Sequence, residues 1–137
     1  MKSLSEIETV SKRASRASGF EWGVAEEVGK NVRILEMLGI PGIKNLNHYL
    51  KIRVKNNFEK IDLIIQENKK TQLEYCPIMV GVNFIDQVRS LENLNEIKFE
   101  NLAYPTLFLP FVFRASEVVG KKILLKIDNR SFFLNYN

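Results

Sequence analysis

Residues 3–42 read SLSEIETVSKRASRASGFEWGVAEEVGKNVRILEMLGIPG, and the fold is decided there. Ser3 with Glu6, or Ser5 with Glu8, has the spacing of a capping box, the usual start of a helix. Leu4, Ile7, Val10, Ala14 and Ala17 recur at helical spacing up to Gly19, a plausible C-cap. A second helix is expected from about Glu21 to Leu38, with Val24, Ala25, Val28, Val32 and Leu35 on one face and Gly39 and Pro41 at its end. Helices joined by so short a link pack antiparallel, so residues 3–40 read as a helical hairpin. Gly29 falls inside the second helix, where Gly costs about 0.5–1 kcal/mol relative to Ala. A close neighbour would explain it, and Ala14, Ser15, Ala17 and Ser18 are small enough to serve.

Outward from the hairpin the pattern loosens. Ile43, Leu46, Leu50, Val54, Phe58, Ile61 and Ile65 keep a loosely helical period through a basic link over 43–70, with a break at Asn56-Asn57. The region 72–137 mixes strand and helix. Leu73 to Val80 reads as a strand or extended entry, Val82 to Leu91 as a short helix, and Ile97 to Leu102 as an edge strand. Pro110 lacks an amide donor, so a helix either starts near it or kinks there, running to about Val119 before Gly120. Lys121–Ile127 and Ser131–Tyr136 flank Asp128-Asn129-Arg130 as a β-hairpin. Helices come first and strands mix in later, which makes the class α+β. With 137 residues and no repeat or linker, one domain over 1–137 is expected.

Composition excludes several classes. A hydrophobic share of 45% and a charged share of 26% are those of a globular protein. One Cys and one His rule out a disulfide framework and a His- or Cys-rich metal site within the chain. The first dozen residues have no apolar core, so no secretory signal is expected, and the longest apolar run is too short for a membrane helix. The expectation is a cytoplasmic protein. Net charge is +4, and the excess sits in residues 41–70, seven Lys/Arg against three Asp/Glu. Such a segment can attract a polyanion. Arg, the better reader of base edges, numbers seven against thirteen Lys and does not cluster there, so nucleic acid is not the expected partner.

Trp22, Glu26, Gly29 and Arg33 fall at i, i+4, i+7 and i+11, one stripe along the second helix. Two readings fit: helix packing with Glu26 and Arg33 as hairpin salt-bridge partners, or a groove for a small acid or amine. Arg13 and Arg16 lie one turn apart on the first helix; the expected reading is solvated charge, and the alternative is that either grips a carboxylate or phosphate bidentately. Cys76 before Pro77 reads as an inert core thiol, and His48 has no Ser or Cys motif beside it. No phosphate loop, dinucleotide fingerprint or other enzyme signature is present, and neither cofactor nor metal is expected.

Three stretches carry a resemblance. One runs from Glu6 through Arg13-Ala14-Ser15-Arg16-Ala17-Ser18-Gly19; the next is Trp22-Gly23-Val24-Ala25-Glu26-Glu27-Val28-Gly29 with Arg33 and Gly39-Ile40-Pro41-Gly42. The last joins Cys76-Pro77-Ile78, Gly81 and Asp86 to Tyr104-Pro105-Thr106-Leu107-Phe108-Leu109-Pro110-Phe111 and Ala115. Together they resemble a bacterial family of small cytoplasmic proteins, domain of unknown function three-seven-two-six, over roughly 3–42 and 74–127. The resemblance implies a bacterial origin and a shared fold, and carries over no activity and no catalytic residue.

Two functions are expected from these features. The first is a non-catalytic accessory subunit or protein-interaction module of a metabolic system, binding a protein partner or itself through Phe108, Phe111, Phe113, Phe132 and Phe133. The second is a small-molecule enzyme or a carboxylate- or amino-acid-binding protein, its pocket between the helical hairpin and the Cys76-Pro77-Ile78 segment. Arg16 or Arg33 would anchor the carboxylate and Trp22 would form a wall. Glu26, Glu27 or Asp86 would be the acid–base group, with Cys76 lining the site.

Overall fold

The Ser3 hydroxyl accepts from the Glu6 amide at 3.2 Å and starts helix α1, Leu4–Ala17, in the computed structural model of the chain. The structure describes residues 3–59, 73–99, 101–127 and 130–134. The chain falls into two compact units, Met1–Asn57 and Phe58–Asn137, their boundary inside the basic helical link. The part of that link over 60–70 lies outside the described residues, as do Asp128, Asn129 and residues 135–137 of the expected C-terminal hairpin.

In the first unit α1 is followed by α2, Trp22–Met37, and α3, Gly42–Lys55. Both inter-helix turns close the same way. The Phe20 amide bonds to Ser15 O at 3.2 Å and the Gly19 amide to Arg16 O at 3.1 Å, while Ile40 bonds to Leu35 O at 2.9 Å and Gly39 to Glu36 O at 3.1 Å. These are Schellman closures, and they require the left-handed backbone that Gly19 (φ 104°) and Gly39 (φ 76°) adopt. The expected hairpin is present, α1 packed along α2.

The face α1 buries differs from the apolar stripe expected of it. Ile7, Ser11 and Ser15 are buried, whereas Val10 and Ala17 are exposed. α2 comes closest to α1 at Gly29, opposite Glu8 and Lys12 rather than the expected Ala14, Ser15, Ala17 and Ser18, and that docking turns Ile7, Ser11 and Ser15 inward and leaves Val10 in solvent. On α2 the inward face is Ala25, Val28, Gly29, Val32 and Leu35, close to expectation, with Asn31 also buried. Leu46, Tyr49 and Leu50 of α3 complete this core, and Asn56 caps the helix by donating from its backbone N and Nδ2 to Ile52 O.

The second unit opens with two parallel bridges, Glu59 to Tyr75 and Tyr75 to Leu102. Helix α4 spans Pro77–Leu91, so the expected strand ends four residues early, at Cys76. Pro77 starts the helix because its missing amide would be unbonded there in any case, and the Cys76 thiol accepts from the Met79 amide at 3.5 Å. Among the described residues of the edge strand expected over 97–102, only Leu102 forms a bridge. A 3-10 turn, Pro105–Leu107, leads into α5, Leu109–Val119, which begins at the residue before Pro110 and stops at Gly120. The Phe111 ring lies against Gly81 of α4, and Phe84, Phe99 and Phe108 form a cluster with centroids 5.1–6.5 Å apart. Strands β1, Ile123–Ile127, and β2, Arg130–Leu134, pair antiparallel with Leu124 opposite Phe133, and both touch α5. The α+β class holds: mostly helix, with a C-terminal β-hairpin.

Candidate functional site

Helices α1 and α2 each carry a stripe, and antiparallel packing matches them end for end. Glu8, Lys12 and Arg16 recur every fourth residue on α1, opposite Trp22, Glu26, Gly29 and Arg33 of α2. Arg33 Nη1 donates to Glu8 Oε1 at 3.2 Å. Lys12 Nζ stands 3.6 Å from Glu26 Oε1. At the turn end, Lys12 and Arg16 both lie over the Trp22 ring, at 5.6 and 5.3 Å from its centroid. Gly29 is buried between these pairs, and a Cβ there would stand 2.7 Å from the Glu8 carbonyl oxygen and 3.3 Å from Lys12 Cβ.

The turn between the helices is tied down by two arginines. Arg16 Nη1 donates to Phe20 O at 3.2 Å, and Arg53 of α3 donates from Nη1 to Ser18 O at 2.9 Å. The Arg53 guanidinium also stacks 3.9 Å from the centroid of the buried Phe20 ring. Each partly exposed ion pair is worth about 0–1 kcal/mol and each exposed cation–π contact about 0.5–1 kcal/mol, so this face adds hairpin specificity more than bulk stability. Trp22 nevertheless remains 54% exposed.

Of the expected site residues, Arg16, Trp22, Glu26 and Arg33 therefore share one face of the hairpin. Glu27, one position round α2, is half-buried. Cys76 and Asp86 belong to the second unit, Cys76 buried with its thiol at the α4 N-terminus and Asp86 exposed on that helix. His48, the sole imidazole, is exposed on α3. The contributors that the stripe alone did not reveal are Glu8, Lys12 and Arg53. For Glu8 and Lys12 a signal existed: their four-residue spacing with Arg16, read in reverse against α2. For Arg53 there was none, because its contact with the Ser18–Phe20 turn spans more than thirty residues of chain.

The C-terminal aromatics divide. Phe108 and Phe111 are core, Phe113 and Phe132 half-buried, and Phe133 is 74% exposed. Its cross-strand partner Leu124 is also exposed, so one face of the β-hairpin presents two large apolar side chains side by side. Among the described residues, no cluster of three His, Cys, Asp or Glu could hold a metal ion, and no helix is long and apolar enough to cross a membrane.

No curated protein matches the chain, and no solved structure does. One family model, described as Protein of unknown function (DUF3726), matches residues 2–75. The matched span takes in the whole helical hairpin, α3 and the Trp-Gly-Val-Ala-Glu-Glu-Val-Gly string, whereas the Cys76-Pro77-Ile78 and Tyr104–Phe111 stretches lie beyond it. More than half of the chain is covered, and the protein belongs to this family of unknown function.

Proposed function

We propose that this is a non-catalytic, cytoplasmic accessory subunit or protein-interaction module, docking on a partner of a metabolic system or on a second copy of itself. The observation that carries the reading is the Leu124–Phe133 pair: two large apolar side chains exposed on one face of a two-stranded sheet. Burying a Phe side chain contributes about 1.5–3 kcal/mol, a term left unused while Phe133 faces water. Two of the side chains expected to serve a small-molecule pocket support the same reading. Glu26 and Arg33 are taken up by Lys12 and Glu8 within the hairpin.

The test is light scattering together with affinity capture from the native cell, comparing wild type with Phe133→Ser. Association in wild type that the variant lacks, at equal melting temperature, is the expected result. A wild-type chain that stays monomeric at high concentration and retains no partner would sink the proposal.

A second reading has one observation in its favour. Trp22 is half exposed with the Arg16 guanidinium over its ring, an arrangement suited to a small carboxylate or amino acid. Thermal shift against a panel of such compounds tests it, and stabilisation of wild type but not of Arg16→Ala is the outcome it requires.

A further inference from the structure

The net charge of the chain has a single address. Residues 1–41 carry six Lys/Arg against six Asp/Glu, and residues 58–137 carry ten against ten. The whole formal +4 falls on α3, which holds Lys44, Lys51, Arg53 and Lys55 and no acidic residue. Folding then sorts these cations. Leu46, Tyr49 and Leu50 face the core, and Arg53 is half-buried against the Ser18–Phe20 turn. Lys44, His48, Lys51 and Lys55 fall at i, i+4, i+7 and i+11, so they line one outward stripe of roughly 16 Å at 1.5 Å per residue. All four are exposed, and among the described residues none has an ion-pair or hydrogen-bond partner.

The contrast with α2 is informative. Its stripe has the same spacing, and α1 answers each charge on it. The α3 stripe has no such answer among the described residues, although like charges one turn apart disfavour a helix. The helix dipole accounts for Lys51 and Lys55 near the C-terminus but works against Lys44 in the first turn. Beside the stripe, Ile52 is 38% and Val54 79% exposed. A nucleic-acid backbone would make little use of those two aliphatic chains. Lysines without an exposed aromatic or a free arginine on α3 also lack the means to read bases.

We propose that the outward face of α3 is a docking surface for an acidic segment of another protein, whose carboxylates meet Lys44, His48, Lys51 and Lys55 and whose apolar side chains meet Ile52 and Val54. A helix with glutamates at the same i, i+4, i+7, i+11 spacing is the simplest complement. This goes beyond the reading above, which rests on Leu124 and Phe133, and the two can fail separately.

The probe is a fluorescein-labelled helical peptide with glutamates at that spacing and leucines flanking them, titrated by anisotropy at low and at physiological salt. A DNA duplex, a DNA single strand and phosphatidylserine vesicles serve as rival probes. Wild type should bind the peptide, with amide shifts confined to α3, and Lys51→Glu/Lys55→Glu should weaken binding by about tenfold or more. Val54→Ser should weaken it several-fold while leaving any DNA binding unchanged. If the charge-reversed variant unfolds, Lys51→Gln/Lys55→Gln takes its place with a smaller loss of the same sign. Absence of peptide binding at low salt, affinity indifferent to these variants, or tighter binding of DNA or vesicles each overturns the proposal. A cellular partner kept equally by wild type and charge variant also overturns the α3 surface, while leaving the interaction reading intact.

Discussion

Gly29→Ala is the sharpest probe of the hairpin. Two effects oppose each other. Alanine favours an interior helical position by about 1 kcal/mol over glycine. Its Cβ, however, would stand 2.7 Å from the Glu8 carbonyl oxygen and 3.3 Å from both Glu8 Cγ and Lys12 Cβ. The first of these is backbone and cannot rotate away, so α1 and α2 must separate by some tenths of an ångström. Overpacking of this kind costs about 1–3 kcal/mol, and the net is a loss of about 0–2 kcal/mol, centred near 1. For a chain this size that lowers the melting temperature by about 3–4 °C per kcal/mol. Gly23→Ala is the internal control, because it lies in the same helix with nothing within 4 Å of its would-be Cβ. It should gain about 0.5–1 kcal/mol, so the two variants should differ by about 0.5–3 kcal/mol, with only Gly23→Ala stabilising. The assay is thermal and urea unfolding followed by circular dichroism, with hydrogen exchange on the α1 and α2 amides to localise the change. Equal stabilisation by both substitutions would refute the close approach of α1 to α2.

Gly81→Ala should be the more damaging glycine change, by about 2–3 kcal/mol, because its Cβ would run into the buried Phe111 ring; Phe111→Leu should restore part of the loss in urea melts. Glu26→Gln and Arg33→Lys should each shift stability by no more than about 1 kcal/mol, since both ion pairs are partly exposed, and a larger loss in thermal melts would mean the pairs are structural keystones. Ser3→Ala removes the acceptor of the Glu6 amide and should cost about 1 kcal/mol, seen as faster exchange of the first-turn amides of α1.

Much of the architecture was legible because it obeys local rules. The Ser3 cap, the glycines that close α1 and α2, the stop at Gly120 and the pairing of two apolar runs at the C-terminus each depend on residues within a few positions of one another. The start of α4 was also a local signal, Pro77 after Cys76, but a short apolar run suits strand and helix alike until its neighbours are known. The charge excess was countable in the sequence, and helical spacing alone aligned Lys44, His48, Lys51 and Lys55.

Tertiary structure decided which of several equivalent faces turned inward. On α1 the apolar period favoured Val10 and Ala17, yet Ser11 and Ser15 are buried, because the docking of α2, closest where Gly29 meets Glu8 and Lys12, sets which face of α1 turns inward. It also decided that Glu26 and Arg33 find Lys12 and Glu8, that Arg53 reaches back to Ser18, and that Phe108 and Phe111 are core while Phe133 is exposed. Those outcomes depend on how whole elements dock. Periodicity says which residues share a face, but only the partner element, brought close by the chain's long-range contacts, determines what that face meets.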